Sequence, residues 1–180
     1  VDGVALAIET PEGLILHSGD FRIDPTNVNG EATDLNQFAH YGDQGVLLFV
    51  SDSTNAEKEG LSLSERDVKR TLEQIFQQTH GRLFVASFAS NVYRIQQVVN
   101  LALKFGRKVV FSGKSMITNV AIARQQGFIQ IPDDVEITER QSAQIPDQDV
   151  LVITTGSQGE PMSALTRMAQ GRHKTLKIRQ

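Results

Sequence analysis

Val150-Leu151-Val152-Ile153-Thr154-Thr155-Gly156-Ser157-Gln158-Gly159-Glu160-Pro161 is the stretch that decides the fold. Its first half is an unbroken apolar, mostly β-branched run, the pattern of a buried parallel strand. Its second half turns at once into hydroxyls, glycines, an amide and a carboxylate. Loops leaving the carboxyl ends of such strands are where open α/β sheets bind ligands. The two glycines let the backbone approach a ligand closely. Ser157 and Gln158 add donors, and Pro161 suits the first turn of a following helix. No Gly-Lys-Ser/Thr follows, so this is not a Walker loop.

The same transition recurs upstream. Leu14-Ile15-Leu16 runs into His17-Ser18-Gly19-Asp20, and residues 46–50 run into Ser51-Asp52-Ser53-Thr54-Asn55. Leu83-Phe84-Val85-Ala86 runs into Ser87-Phe88-Ala89-Ser90-Asn91, and Val109-Val110-Phe111 into Ser112-Gly113-Lys114-Ser115. All five runs read as buried strands. Residues 4–10 and 14–18 flank Pro11-Glu12-Gly13, a hairpin signal. Residues 21–33 read as an extended loop. Residues 34–41 read as a short helix capped by Thr33 or Asp34 and stopped near Gly42.

From Ser64 onward, strand and helix alternate. Ser64 and Asp67 stand at capping-box spacing, ahead of an apolar face at Val68, Leu72, Ile75 and Phe76. Helical patterns follow over residues 92–105, 116–126 and 162–170, ended by Gly106, Gly127 and Gly171. Residues 135–137 form a weak strand, and residues 174–180 look like a strand being started. This rhythm means a parallel sheet covered by helices. A domain boundary falls between Asn55 and Leu63. The absence of an initiator Met and the strand-like ends suggest an excised or processed piece of a longer protein.

The 180 residues suffice for one domain, or one plus part of another. With 39% hydrophobic and 22% charged residues, the composition is that of an ordinary soluble protein. No apolar stretch approaches membrane-spanning length. Zero cysteines exclude disulfides and thiolate metal sites and fit a reducing cytosol. A net charge of −3 argues against a generally basic nucleic-acid binder but leaves room for a local positive groove.

Asp20 reads either as a turn residue opening the next loop or as a carboxylate that ligates a metal. Asp52 reads either as a turn or cap residue or as an orienter of an imidazole. Ser90 or Asn91 caps the helix that follows, and the free amides of a helix start also bind phosphate. His17, His40, His80 and His173 show no ligand spacing and read as surface or packing residues. Arg167, Arg172, His173, Lys174, Lys177 and Arg179 lie close together, a solvated helix end or a track for a polyanion.

Taken in order, four stretches resemble one family. They are His17-Ser18-Gly19-Asp20-Phe21, Ser51-Asp52-Ser53-Thr54-Asn55-Ala56-Glu57, Phe88-Ala89-Ser90-Asn91 with Arg94-Ile95-Gln96-Gln97, and residues 155–165 from Thr155-Gly156-Ser157 to Ser163-Ala164-Leu165. Together they are similar to the bacterial ribonuclease J family, the RNA-processing branch of the metallo-β-lactamase superfamily with an inserted β-CASP domain. The resemblance implies an α/β fold. Residues 1–55 would be the end of a first metallo-β-lactamase αββα segment, and residues 56–180 most of a parallel-sheet, three-layer β-CASP domain.

The resemblance also implies hydrolysis of RNA phosphodiesters, endonucleolytic and 5′-to-3′ exonucleolytic, by a cytoplasmic homo-oligomer (dimer or tetramer) using two zinc ions. Asp20 matches the metal-bridging Asp, and Asp52 matches the acidic residue that orients a later His. Ser87, Ser90, Asn91, Gly156, Ser157, Gln158, Gly159 and Glu160 match positions lining the RNA and its 5′-monophosphate. The His-x-His-x-Asp-His metal motif is absent from this stretch, so no zinc pair and no activity are expected of it alone. The reading from a different class is an α/β module binding a nucleotide or sugar phosphate through the Gly156–Glu160 loop. A third is a scaffold piece whose edges serve assembly.

Overall fold

The computed structural model describes residues 3–21, 23–24, 33–54, 56–60 and 64–178. The chain divides into two compact units, Val1–Val68 and Lys69–Gln180.

The first unit holds a hairpin of β1 (Leu6–Thr10) and β2 (Gly13–His17), then helix α1 (Leu35–Gln44) and strand β3 (Leu48–Val50). The turn is fastened by Thr10, whose hydroxyl donates to the Gly13 carbonyl at 2.7 Å. β1 and β2 are antiparallel, and β3 lies parallel to β2 with Leu16 opposite Phe49. Asp34 is the N-cap of α1, its carboxylate accepting from the Asn36 and Gln37 amides at 3.1 Å. α1 runs through Gly42 and ends at Gly45, whose φ of +90° lies in the region glycine favours. Most of the loop expected over residues 21–33 lies outside the described residues.

One expectation fails in this unit. The run that includes β3 reads as buried, yet Leu47, Leu48 and Phe49 are more than half exposed. Among the described residues, β3 pairs with β2 alone. It stands at the edge of the three-stranded sheet that the described residues form, with no second strand beside it among them. Phe49 does meet Phe38 of α1 edge-on, with ring centroids 6.4 Å apart.

The second unit is a parallel sheet in the order β4-β6-β5, formed by β4 (Leu83–Ala86), β5 (Lys108–Ser112) and β6 (Val150–Thr154). Helices α2 (Glu65–Gln78, whose first four residues are counted with the first unit), α3 (Val92–Lys104), α4 (Lys114–Gln125) and α5 (Ala164–Ala169) follow the strand–helix rhythm. Ser64 and Asp67 form the expected reciprocal cap at the start of α2.

Side chains alternate across a strand, and β6 shows what this does. Leu151 and Ile153 join Val109 and Phe111 in a core with Phe76 of α2, Ile95 and Val98 of α3, and Met116 and Val120 of α4. Val150 and Val152 join Val110 in an opposite core with Ala164 and Met168 of α5 and with Leu176. All five residues of β6 are buried because helices lie on both faces. The result is a three-layer α/β unit.

Four details correct the sequence reading. Ile75 of α2 is exposed while Phe76 is buried, so the apolar face is narrower than its spacing suggests. Residues 135–137 add only a single bridge beside β5, Val109 to Glu136. α5 begins at Ala164 with Ser163 as its cap, not near Met162, because the Ser163 hydroxyl takes the Thr166 amide at 3.3 Å. Pro161 therefore lies in the loop. Residues 174–178 are irregular rather than a strand; the Thr175 and Leu176 amides bond back to the His173 ring rather than to a neighbouring strand.

Candidate functional site

In the first unit, one hydroxyl organises the loops after β2 and β3. Ser18 is buried. Its amide donates to the Val50 carbonyl at 2.9 Å, and its Oγ accepts the Asp52 amide at 3.0 Å. This sets the Asp20 and Asp52 loops side by side at the carboxyl ends of two parallel strands. Gly19 is required between them. Its φ is +59°, and a Cβ there would sit 2.5 Å from the Val4 carbonyl oxygen.

Asp52 forms the turn that its local sequence suggests. Its Oδ1 accepts from the Thr54 hydroxyl at 2.6 Å and the Thr54 amide at 3.0 Å. These bonds, the hydroxyl foremost, hold its carboxyl below the usual carboxylate value. The group is a fixed, ionised acceptor, suited to orienting a donor such as an imidazole N–H. Asp20 is exposed.

A metal pair needs more than this. A single zinc takes about four N, O or S donors. Among the described residues, no group of three or more His, Asp or Glu side chains converges, and the sequence has no Cys. These residues do not by themselves fit a metal pair.

In the second unit, the loops after β4 and β6 are joined directly. The Ser87 amide donates to the Thr154 carbonyl at 3.0 Å. Ser90 and Asn91 lie exposed beyond Ser87. Asn91 caps α3, its Oδ1 accepting the Arg94 amide at 3.1 Å, and the Val92 amide turns back to the Ser90 carbonyl at 2.9 Å. Capping thus occupies part of the donor set at this helix start and leaves the Asn91 side-chain NH2, the Ser90 hydroxyl and the Tyr93 amide for a ligand.

The Gly156–Glu160 loop is folded back onto α5. The Leu165 amide donates to the Thr155 carbonyl at 3.2 Å. Gly156 is buried with φ +115°, and a Cβ there would meet Ser163 Oγ at 2.5 Å and Leu165 Cβ at 2.9 Å. Gly159 closes a turn onto the Gly156 carbonyl at 3.1 Å. The Gln158 amide donates to Glu160 at 3.3 Å. Ser157, Gln158, Gly159 and Glu160 are all exposed.

The sequence reading missed two things here. Ser18 reads as one more small loop residue, although strand alternation does place it on the face opposite His17. Ser112, left without a role, is fully buried and donates to Glu139 at 2.7 Å.

The architecture defines a class: an α/β protein whose second unit is a parallel, doubly covered sheet with donor loops at the carboxyl ends of its strands. Residues 80–180 match the family model of the ribonuclease J β-CASP domain. The chain belongs to the ribonuclease J family. It is 48% identical over 179 residues to a ribonuclease J of Synechocystis, covering 99% of this chain and 28% of that protein. It is 44% identical over 179 residues to one from Helicobacter pylori J99 (99% and 26%). Against one from Mycobacterium tuberculosis H37Rv it is 45% identical over 181 residues (98% and 32%). The chain therefore spans between a quarter and a third of the length of these relatives.

Proposed function

We propose that this chain is the RNA-binding part, with one metal ligand, of a hydrolase that cleaves RNA phosphodiesters internally and from the 5′ end. The observation that carries the proposal is the family match over residues 80–180, which includes every loop residue assigned to RNA. Residues 56–180 are read as the β-CASP domain and residues 1–55 as part of a metallo-β-lactamase domain.

In this reading, Ser87, Ser90, Asn91 and the Gly156–Glu160 loop hold the RNA and its 5′-phosphate. Hydroxyl, amide and backbone N–H donors beside a helix start are the right groups for a phosphate. Asp20 is the chain's ligand to one of two zinc ions. Asp52 holds a histidine in one tautomer, a role that its Thr54-fixed, ionised carboxylate supports. The enzyme works in the cytoplasm on RNA processing and decay, as a homo-oligomer. Among the described residues, no helix is long and apolar enough to cross a membrane.

The test is a fluorescence anisotropy titration of the chain with 5′-monophosphorylated and 5′-hydroxyl single-stranded RNA. Tighter binding of the monophosphorylated strand, fading as salt rises, is expected. Equal affinity at low and high salt, with a nucleotide or sugar phosphate binding better than either strand, would assign the loops to a small-molecule module.

A further inference from the structure

The basic cluster at the end of the chain belongs to neither loop site, and the chain there is pinned at His173, Thr175 and Leu176. The Arg172 and His173 amides both donate to the Arg167 carbonyl, at 2.8 and 3.0 Å, closing the end of α5. His173 Nδ1 accepts the Leu176 amide at 3.2 Å. A ring nitrogen that accepts carries no proton, so the ring's proton lies on Nε2. That atom faces Ser112 Oγ at 3.3 Å and Glu139 Oε1 at 3.7 Å. Buried Ser112 donates to the same Glu139 oxygen, and the Thr175 hydroxyl donates to the other. Leu176 is buried in the core that holds Val110 and Val152.

His173, Thr175 and Leu176 are thus spent on holding the segment. The residues left over are Arg172, Lys174 and Lys177, all exposed. None of the three is in an ion pair among the described residues. Arg140, exposed as well, follows Glu139 directly. Glu139 accepts from the Ser112 and Thr175 hydroxyls and forms no ion pair with Arg140, Arg172, Lys174 or Lys177 among the described residues. Residues 171–177 carry no Phe, Tyr or Trp, and the His173 ring is held in the network with Ser112, Glu139 and the Leu176 amide, so the segment presents no free ring for a base to stack on. Fixed, spaced cations without stacking groups suit the phosphate backbone rather than the bases.

We infer that Arg172, Lys174 and Lys177, with Arg140, form a second RNA contact, an electrostatic strip that holds backbone phosphates without reading sequence. It rests on the RNA reading of the loops. The experiment titrates the chain and its R172Q/K174Q/K177Q variant with the same labelled RNA over a salt series. Each phosphate contact on a single strand contributes roughly 0.7 to the slope of log affinity against log salt. The triple variant should therefore lose about 2 from that slope and bind roughly tenfold more weakly at low salt. Lys177→Gln alone should lose about 0.7. Lys108→Gln, a cation held by Asp134, should leave the slope unchanged.

An unchanged slope in the triple and single variants, with the parent chain still binding RNA, overturns the strip and leaves the loop reading standing. Absence of salt-dependent RNA binding by the parent chain overturns both. Displacement of the RNA by polyglutamate as effectively as by unlabelled RNA overturns the RNA assignment in favour of an acidic protein segment.

Discussion

The Ser87 amide donates to the carbonyl of Thr154 at 3.0 Å, so the loop after β4 begins where the strand β6 ends. That one bond carries the sheet ladder a residue past Ala86. It fixes the spacing between the hydroxyl-rich approach to α3 and the glycine loop ahead of α5. Both loops offer donors, and neither could be placed against the other by its own sequence.

Gly156→Ala should separate the two roles of glycine in that loop. The φ of +115° and the 2.5 Å approach of a Cβ to Ser163 Oγ leave no unstrained place for a methyl group. Holding a non-glycine residue in such a conformation costs about 1–3 kcal/mol. The variant should lose about that much stability in urea unfolding and bind 5′-monophosphorylated RNA more weakly. Gly159→Ala, at a positive φ but with open space around it, should cost less. Equal losses in the two variants would show that close approach to Ser163 is not what makes Gly156 necessary.

Asp52 gives a pH signature with a definite sign. Thr54 holds its carboxyl below the usual value, so the folded state binds fewer protons than the unfolded state through the acidic range. The contribution is present above the unfolded carboxylate value and is lost as pH falls through the folded one. Thr54→Val removes the hydroxyl bond and should move the Asp52 carboxyl carbon titration, followed by NMR, to higher pH. An unmoved titration would show that the hydroxyl does not set the charge state.

How far the sequence reading reached depends on what each segment must know about its neighbours. β6 was legible because a run covered on both faces needs no phase, only apolar residues. Residues 46–50 read the same way, yet β3 stands at the edge of the sheet formed by the described residues, with Phe49 half exposed. Nothing inside a five-residue run tells which neighbours it will have. Helix ends were legible where a cap is local, as at Asp34 and Asn91. The start of α5 is less legible because Pro161 and Ser163 are both acceptable starts, and the bonds that choose between them come from Thr155, just past the end of β6. The Ser112, Glu139 and His173 network was invisible for a stronger reason. Its partners lie 27 and 61 residues from Ser112 along the chain, so no spacing rule brings them together.

Ser18→Ala tests the link between the two acidic loops. Ser18 is buried, donates to the Gly19 carbonyl at 2.7 Å and accepts the Asp52 amide at 3.0 Å. Removing a buried partner of this kind costs about 1–3 kcal/mol. Amide hydrogen exchange at Asp52 should quicken in the variant while exchange in β6 stays as it was. Unchanged protection at Asp52 would mean that the loops are positioned without the hydroxyl.

Arg107 supports the second unit from below the strands. The side chain is 5% exposed. Its guanidinium donates to the carbonyls of Thr79 and Gly81, at 2.6 and 2.8 Å, and reaches that of Val150 at 3.4 Å. It thereby collects the chain leaving α2 and the start of β6 in one fork, with the Phe76 ring 6.0 Å away. Arg107→Leu leaves these carbonyls without their donor, at about 1–3 kcal/mol for each one that water cannot reach. Arg107→Lys should recover little, because an ammonium group lacks the planar fork that serves several acceptors at once. Both variants should melt well below the parent chain and close to each other. A lysine variant as stable as the parent would show that charge alone, and not the fork, holds these segments together.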